Sequence, residues 1–276
     1  LCAYLRDRGW DVAQRDFNIE SYDHFLSPPL LEKAVAKMES RLTALKEKKS
    51  FSFKEKSLMD VLATGIRFAP TIISGVDDAK QVMRTPDRFF NFEAYKQADM
   101  VIKSALKLVS DAYAPSILTL STFESGTRAE ESTQRAAGVT RDENVNPFIN
   151  LYEDVLLPSE QWEDYGLVGI SIVGISQILP GLTLARMLKE KYPHLHVTLG
   201  GPIFSVNAKQ LLAHPEFFDE FCHSVVTFEG EEPLHRLLTT LEKGSTLREV
   251  PNLLFCEDGK VTLNEERVEL RFEELP

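Results

Sequence analysis

Residues 167–182, LVGISIVGISQILPGL, decide the fold that this sequence predicts. The stretch begins as an uncharged apolar run, is interrupted by Gly and Ser, and continues with the spacing of a helix. This order is typical of a buried parallel strand that enters a helix through a turn where backbone can approach a ligand. Residues 197–202, VTLGGP, repeat the strand and the glycine-bearing turn, so we expect a large cofactor at these strand ends.

The composition is that of an acidic globular protein. The chain has 276 residues, of which 43% are apolar, and this is enough for one large or two ordinary domains. Its formal charge of −11 argues against a nucleic-acid-binding surface. No apolar run approaches the length of a membrane span, so we expect no membrane contact.

Short metal-binding and catalytic motifs are missing from the sequence. The cysteines Cys2, Cys222 and Cys256 stand too far apart for the usual structural zinc or iron–sulfur spacings and form no disulfide framework, which predicts a cytoplasmic, reducing location. The six histidines include no H-E-x-x-H pair, so we interpret them as surface or core residues. G-x-S-x-G, G-x-x-x-x-G-K-[ST] and G-x-G-x-x-G are also absent.

Strands and helices alternate in the second half of the chain, which predicts right-handed crossovers and a parallel sheet. After a helix that starts at Asn146-Pro147-Phe148 and ends near Pro158, the predicted strands are 167–173, 196–199 and 224–228, and the predicted helices are 178–191, 207–213 and 233–243. Asp258-Gly259 between two apolar segments, 252–256 and 261–264, predicts a hairpin that adds an antiparallel edge.

The first half of the chain has a different composition. Residues 1–8 predict a helix and residues 11–18 a strand, which together form half of an α/β unit. A Lys- and Glu-rich region then predicts helices at 27–48, 58–68, 77–84 and 93–113, followed by a mobile polar loop at 121–144. The predicted domains are therefore 1–26 with 146–276, and a helical insertion at 27–145. Because no strand precedes the first helix, we expect this sequence to be a fragment of a longer protein.

Ligands of open α/β sheets bind beyond the carboxyl ends of the strands, so the loops after the three predicted strands hold the candidate contacts. The first loop places a glycine and a hydroxyl before a helix N-terminus, the second removes two side chains, and the third joins carboxylates through a glycine. The candidate cofactor contacts are Ser171, Val173, Gly174, Ser176 and Gln177, then Gly200, Gly201, Pro202 and Ser205, and finally Glu229, Gly230 and Glu231.

Several of these candidates have a purely structural alternative. Ser176 and Ser205 are each suited to cap the helix that follows. A tight turn explains one glycine of Gly200-Gly201. Carboxylates in the first turn of a helix stabilise its free N–H groups, which explains at least one of Glu231 and Glu232 without a ligand.

Taken in order, these segments resemble the cobalamin-binding domain that precedes the catalytic domain in B12-dependent radical SAM proteins. The resemblance rests on LVGIS before a helix, GGP after the next strand, EGE after a Val-rich strand, and the opening YLRDRGWDVAQRDFNIE. NPFINLYEDVLLP and SQILPGLTLARMLKEKYPHLHVTLGG resemble the subgroup associated with peptide maturation. The resemblance covers roughly residues 1–18 and 146–243.

The resemblance implies a Rossmann-like (flavodoxin-like) parallel sheet flanked by helices, with a large helical insertion and a C-terminal β-hairpin. It implies a corrinoid across the strand ends, and a peptide as a substrate class. It also implies a downstream radical SAM domain carrying S-adenosylmethionine and a 4Fe-4S cluster, for which this sequence has no C-x-x-x-C-x-x-C. Asp7-Arg8-Gly9 and the histidines do not match D-x-H-x-x-G, so cobalt would have no protein histidine ligand. The family often has Gly where Phe228 stands.

Two other functions fit the same pattern of elements. A nucleotide- or sugar-nucleotide-binding α/β transferase also uses glycine-rich strand ends, and a non-enzymatic, receiver-like regulatory domain has a similar build. The missing cluster of acidic residues at a strand end argues against the regulatory domain.

Overall fold

The computed structural model describes residues 1–264. In chain order its helices are α1 Cys2–Asp7, α2 Phe17–Phe25, α3 Pro28–Lys46, α4 Phe53–Arg84, α5 Pro86–Phe89, α6 Phe92–Ala112, α7 Thr133–Val139, α8 Pro147–Leu151, α9 Ile178–Lys191, α10 Pro202–Leu211, α11 Pro215–Phe221 and α12 Glu231–Lys243. Its strands are β1 Ile117–Leu118, β2 Phe123–Glu124, β3 Leu167–Ser171, β4 His196–Gly200, β5 Ser224–Val226, β6 Leu253–Glu257 and β7 Lys260–Leu263.

These elements form two compact units. The α/β unit comprises Leu1–Asp16, Ala129–Arg141 and the described residues from Tyr152 onward. The helical unit comprises Phe17–Arg128 and Asp142–Leu151. Each unit has its own buried apolar cluster, as expected for parts of a chain that are stabilised separately.

The α/β unit is built on a mixed five-stranded sheet with the order β3-β4-β5-β6-β7. β3, β4 and β5 are parallel, whereas β6 and β7 are antiparallel additions that end the sheet in a hairpin. The predicted hairpin is confirmed, and the predicted parallel sheet holds for the first three strands. Asp258 and Gly259 have φ values of +52° and +72°, which are the values that a two-residue turn of this kind requires.

The two faces of this sheet are covered differently. On one face Tyr4 and Leu5 of α1 and Leu237 of α12 join buried strand residues in one apolar cluster. On the other face α9 approaches so closely that a side chain at Gly181 would overlap the side chain of Ile172. Crossover helix α9 spans the predicted residues, 178–191, and β3 ends at Ser171, two residues earlier than predicted.

The helical unit is centred on α3, α4 and α6. Its core consists of small and aliphatic side chains that are at most 5% exposed: Ala34, Met38, Leu62, Ala69, Leu108 and Ala112. The predicted helices 58–68 and 77–84 are parts of the single helix α4, which runs through Pro70. The helix is continuous because Leu62, Ala69 and Val76 keep one buried face on both sides of the proline.

Three predictions of local structure are wrong. Residues 11–18 form no strand: residues 10–16 have no regular structure and α2 begins at Phe17, where Phe17, Ser21 and Phe25 have helical spacing. Residues 121–144, predicted as a mobile loop, contain β2 and α7, whose Ala136 and Val139 are buried. The helical insertion is therefore not all-helical, since β1 and β2 pair within it.

Candidate functional site

The carboxyl ends of β3, β4 and β5 lie side by side, because the three strands are neighbours and parallel. The last residue of β3, Ser171, pairs with Gly200 at the end of β4, and Leu199 pairs with Val225 of β5. The loops after these strands therefore meet at one edge of the sheet. All the sequence-predicted site residues lie in the strand ends, the loops or the first turns of α10 and α12 at this edge.

The loop after β3 is closed by its own glutamine. Gln177 Oε1 accepts hydrogen bonds from the backbone N–H of Val173, at 2.9 Å, and of Gly174, at 3.3 Å. Gln177, predicted as a ligand contact, therefore holds the loop in shape. The N-cap interpretation of Ser176 is wrong, because α9 begins at Ile178 and Gln177 precedes it; Ser176 lies half-buried in the turn between Ile175 and Gln177.

The two glycines at the end of β4, Gly200 and Gly201, are explained by different features of the structure. Gly201 has a φ of +112°, and a Cβ at this position would overlap the carbonyl oxygen of Ile172. Backbone packing alone therefore requires a glycine at position 201. A Cβ at Gly200 would contact only the carbonyl oxygen of Val226, at 3.7 Å. Pro202 is the first residue of α10, which starts five residues before the predicted helix because proline is pre-set in φ for this position.

Part of one sheet face, leading toward this edge, carries only small residues. Gly169 and Ser171 of β3 are exposed, and their pairing partners on β4 are Thr198 and Gly200. The nearest atom to a Cβ at Gly169 would be Thr198 Cγ2, at 3.7 Å. Residues two apart in a strand share a face, so these four positions form one strip, which we call the bare strip.

The loop after β5 is held from both sides. Ser205 Oγ, in the first turn of α10, accepts a hydrogen bond of 2.7 Å from the backbone N–H of Phe228. Thr227 donates from its backbone N–H and from its Oγ1 to the carbonyl oxygen of Asn252, at 2.9 and 3.0 Å. Ser205, predicted as a donor to a ligand, is thus an acceptor within the protein. Phe228 has a φ of +59°, a value at which a bulky residue is rare.

The carboxylates in and after the third loop differ in exposure and in hydrogen bonding. Glu229 is exposed, Gly230 precedes α12, and Glu231 is the first residue of that helix. Glu232 accepts hydrogen bonds from Tyr4 Oη, at 2.8 Å, and from Arg236 Nε, at 2.7 Å. Burial alone would raise the pKa of Glu232, but these two donors outweigh burial and hold its pKa below the usual value. Glu232 therefore has the structural role that the sequence allowed for one of the pair.

Large apolar side chains at this edge are exposed to solvent. Val173 is 62% and Ile175 is 74% exposed after β3, Val206 in α10 is 80% exposed, and Phe228 is 52% exposed after β5. We call these four residues the apolar rim. Three of them, Ile175, Val206 and Phe228, were not among the predicted contacts. Ile175 and Phe228 are uncharged apolar residues in loops that follow predicted strands, and this signal could have identified them; Val206, the fifth residue of α10, carries no such signal.

The charged side chains within the three loops are all acidic. Residues 171–177, 200–206 and 227–232 contain no Lys or Arg and include three glutamates, Glu229, Glu231 and Glu232. A phosphate or diphosphate normally requires cationic side chains or a glycine-rich nest of N–H groups. The edge is therefore suited to a large ligand with apolar surface rather than to a nucleotide bound through its phosphates.

Two of the histidines, His196 and His223, lie away from this edge. His196 is the first residue of β4, at the opposite end of the strand, and its ring is 5.2 Å from that of His223. Within residues 1–264, no three His, Cys, Asp or Glu side chains are grouped so as to hold a metal ion. No helix in the described residues has the length and apolar character to cross a membrane.

Comparisons of the chain with family models, with curated proteins and with solved structures found no match.

Proposed function

We propose that the α/β unit is a corrinoid-binding module whose ligand lies across the carboxyl ends of β3, β4 and β5. In this proposal the sheet is the Rossmann-like (flavodoxin-like) sheet of the cobalamin-binding domains that the sequence resembles. The observation that carries the proposal is the apolar rim. Four large apolar side chains, at least half exposed, stand at the ligand-binding edge of an α/β sheet.

The bare strip supports the proposal independently. A corrinoid is a broad macrocycle with a nucleotide tail, and it needs both an apolar seat and a path of little side-chain bulk for the tail. The bare strip offers such a path, because Gly169 and Gly200 have no side chains and Ser171 and Thr198 have small ones. Ser171 adds an exposed hydroxyl at the end of the same strip.

The protein's own contribution is to bind and orient the ligand. The rim covers apolar surface, the backbone of the first loop is fixed by Gln177, and Ser205 ties the third loop to α10. A bound corrinoid supplies a cobalt centre for methyl transfer or related radical chemistry. We assign that chemistry to a following radical SAM domain with its S-adenosylmethionine and 4Fe-4S cluster, in keeping with a sequence that has no C-x-x-x-C-x-x-C.

No histidine of the edge loops is available as a ligand to cobalt. The three loops, residues 171–177, 200–206 and 227–232, contain none, and His196 lies at the other end of β4. In our proposal the corrinoid would therefore be held without a histidine ligand from these loops. The three loops contain no Lys or Arg, which disfavours a nucleotide bound chiefly through its phosphates; in our proposal the apolar rim, and not the phosphate of the nucleotide tail, makes the main contact.

The test is retention of hydroxocobalamin by the full chain. After incubation and desalting, the protein should keep the visible absorption of a corrinoid in near-stoichiometric amount. Gly169→Leu should abolish retention, because it fills the bare strip at a position where the backbone accepts a side chain.

Gly166→Leu is the matched control, since Gly166 is an exposed glycine just before the amino end of the same strand and has open space around its Cβ position. This variant should retain the ligand. A colourless wild-type protein after desalting would refute the proposal, and stabilisation by a panel of nucleotides but not by corrinoids would favour the transferase.

A further inference from the structure

The turn between α3 and α4 carries a positive charge that contrasts with the rest of the chain. Residues 46–56, KEKKSFSFKEK, contain five Lys and two Glu and therefore have a formal charge of +3. Since the whole chain has a formal charge of −11, the remaining residues together carry −14. We call residues 46–56 the basic turn, and all of it belongs to the helical unit.

Most lysines of the basic turn have no ion-pair partner in the described part of the chain. Lys48 Nζ forms a salt bridge with Glu55. The remaining four lysines form no ion pair with any residue between 1 and 264, and all of them are exposed: Lys46, Lys49, Lys54 and Lys56. The positive charge of the turn is therefore open to an anionic partner from outside.

An exposed aromatic ring stands between these lysines in the sequence. Phe53, the first residue of α4, is 87% exposed, the highest value for any large apolar side chain within residues 1–264. A capping box holds the backbone here: Ser52 Oγ accepts from the N–H of Glu55 at 3.2 Å, and Glu55 Oε2 accepts from the N–H of Ser52 at 2.8 Å. A partner that covers the ring therefore gains apolar contact without first ordering this backbone.

We infer that the basic turn is a docking surface for an acidic peptide segment that carries an apolar side chain. The four unpaired lysines complement the carboxylates of such a segment, and Phe53 covers its apolar residue. Charges at the rim of an interface mainly attract and orient the partner, whereas a ring that becomes buried adds contact. The inference concerns the helical unit and does not depend on a corrinoid bound by the α/β unit.

The charge of the whole chain favours a peptide segment over a broad anionic surface. A bilayer with anionic lipids extends over far more area than the basic turn, so its negative potential also acts on the acidic remainder of the chain. That remainder, at −14, opposes the approach. A peptide segment covers only the turn, where the local charge is +3. Two copies of the chain repel each other for the same reason, which disfavours a contact between copies.

The test measures the binding of a synthetic peptide of Glu residues with one central Phe, by the fluorescence anisotropy of a terminal label. A second peptide has Gln in place of every Glu, and a third has Ala in place of the Phe. We expect the full wild-type chain to bind the first peptide most tightly. Added salt should weaken this binding, because it screens the charges.

Substitution of all four unpaired lysines of the basic turn by Gln should weaken binding of the first peptide about tenfold or more. The matched control replaces four other exposed lysines by Gln, which changes the net charge of the chain by the same amount. It should bind within about twofold of wild type, because rim charges act locally. The control residues are Lys96, Lys209, Lys243 and Lys260.

Phe53→Ala tests the apolar contact. It should weaken binding of the first peptide about fivefold and leave binding of the third peptide, which has no Phe, within about twofold of wild type. Phe90→Ala removes an 82% exposed ring outside the basic turn and should leave the binding of all three peptides unchanged. All the substituted side chains are exposed, so the thermal unfolding of each variant by circular dichroism should match that of wild type.

Several outcomes would refute the proposal. One is equal binding of the Glu and Gln peptides by wild type, and another is an equal loss of affinity in the two lysine variants. Lysine-dependent binding to vesicles that contain phosphatidylserine, without binding of the Glu peptide, would refute it in favour of a membrane surface. Self-association that the turn variant abolishes, again without peptide binding, would refute it in favour of a second copy. A failure to retain hydroxocobalamin would refute only the corrinoid proposal.

Discussion

His196 should make the α/β unit sensitive to mild acid. Its imidazole is largely buried, with Nε2 2.8 Å from Ser224 Oγ and with the ring of His223 at 5.2 Å. Burial first, and then the neighbouring charge of His223, lower the pKa of His196 to about 3 from its ordinary value of 6.5. The folded protein therefore keeps this ring neutral at a pH where the unfolded chain protonates it.

The sign and the size of the effect follow from this difference in pKa. Stability is fully present above the unfolded pKa of 6.5 and is lost as the pH falls from 6.5 toward 3, because only the unfolded state takes up the proton in that range. Between pH 7.5 and pH 5.0 the expected loss in the free energy of unfolding is about 2 kcal/mol. Burial also lowers the pKa of His223, which adds to the loss in the same direction.

Tryptophan fluorescence during urea unfolding measures this loss in the α/β unit alone. The chain has two tryptophans, Trp10 and Trp162, and both belong to that unit. His196→Gln keeps an amide donor near Ser224 but has no titrating group, so its free energy of unfolding should change by about 2 kcal/mol less over the same pH range. Titrations at pH 7.5, 6.5 and 5.0 stay above the range in which most carboxylates protonate.

His194→Gln is the matched control, because His194 lies two residues away and is exposed. It should keep the wild-type pH dependence. The reasoning is refuted if wild type loses no stability between pH 7.5 and pH 5.0, or if His196→Gln loses as much as wild type does.

Four further substitutions test individual positions. Gly201→Ala should destabilise the α/β unit by about 3 kcal/mol, through a strained φ and backbone overlap, whereas Gly200→Ala should change its stability by less than about 0.5 kcal/mol in the same fluorescence assay. Tyr4→Phe removes the 2.8 Å hydrogen bond to Glu232 and should cost about 2 kcal/mol; an unchanged urea midpoint would contradict this. Ser52→Ala breaks the capping box of α4 and should cost about 1 kcal/mol, measured by far-UV circular dichroism; no loss would mean that α4 does not need its cap.

Local sequence signals were sufficient where structure is determined locally. The bounds of α9 follow from helical spacing after a glycine-bearing turn, and the hairpin follows from Asp258-Gly259. Both depend on conformational preferences of a few adjacent residues. The same reasoning failed at residues 11–18, because a strand also requires a partner strand and the alternating residues there do not reveal whether one exists.

Continuity of α4 could not be predicted for a related reason. Pro70 ends a helix in isolation, since proline lacks an N–H and its ring clashes with the preceding turn. In the protein, Leu62 and Ala69 are buried against α3 and α6 within the core of the helical unit. The free energy gained by this packing outweighs the cost of a proline within the helix. The sequence of α4 alone does not show this packing, because it forms only when the three helices assemble.

At the candidate site, the type of a residue did not by itself predict its role. Sequence reasoning assigned Gln177, Gly201 and Ser205 to the ligand because amides, glycines and hydroxyls are common in binding loops. In the structure these three residues satisfy the protein's own backbone: Gln177 and Ser205 accept from loop N–H groups, and Gly201 allows two backbones to meet.

Because Gln177 and Ser205 bond within the protein, the edge presents mainly apolar side chains to a ligand. The large apolar side chains exposed in these segments are Val173, Ile175, Val206 and Phe228; Ser171 and Glu229 are exposed as well, and the loops contain no Lys or Arg. A ligand held by phosphate contacts would need donors, and the backbone N–H groups of Val173, Gly174 and Phe228 already donate within the protein. A broad ring system is instead held by contact with apolar side chains. The internal use of the predicted polar contacts is therefore an argument for a macrocyclic ligand and against a nucleotide.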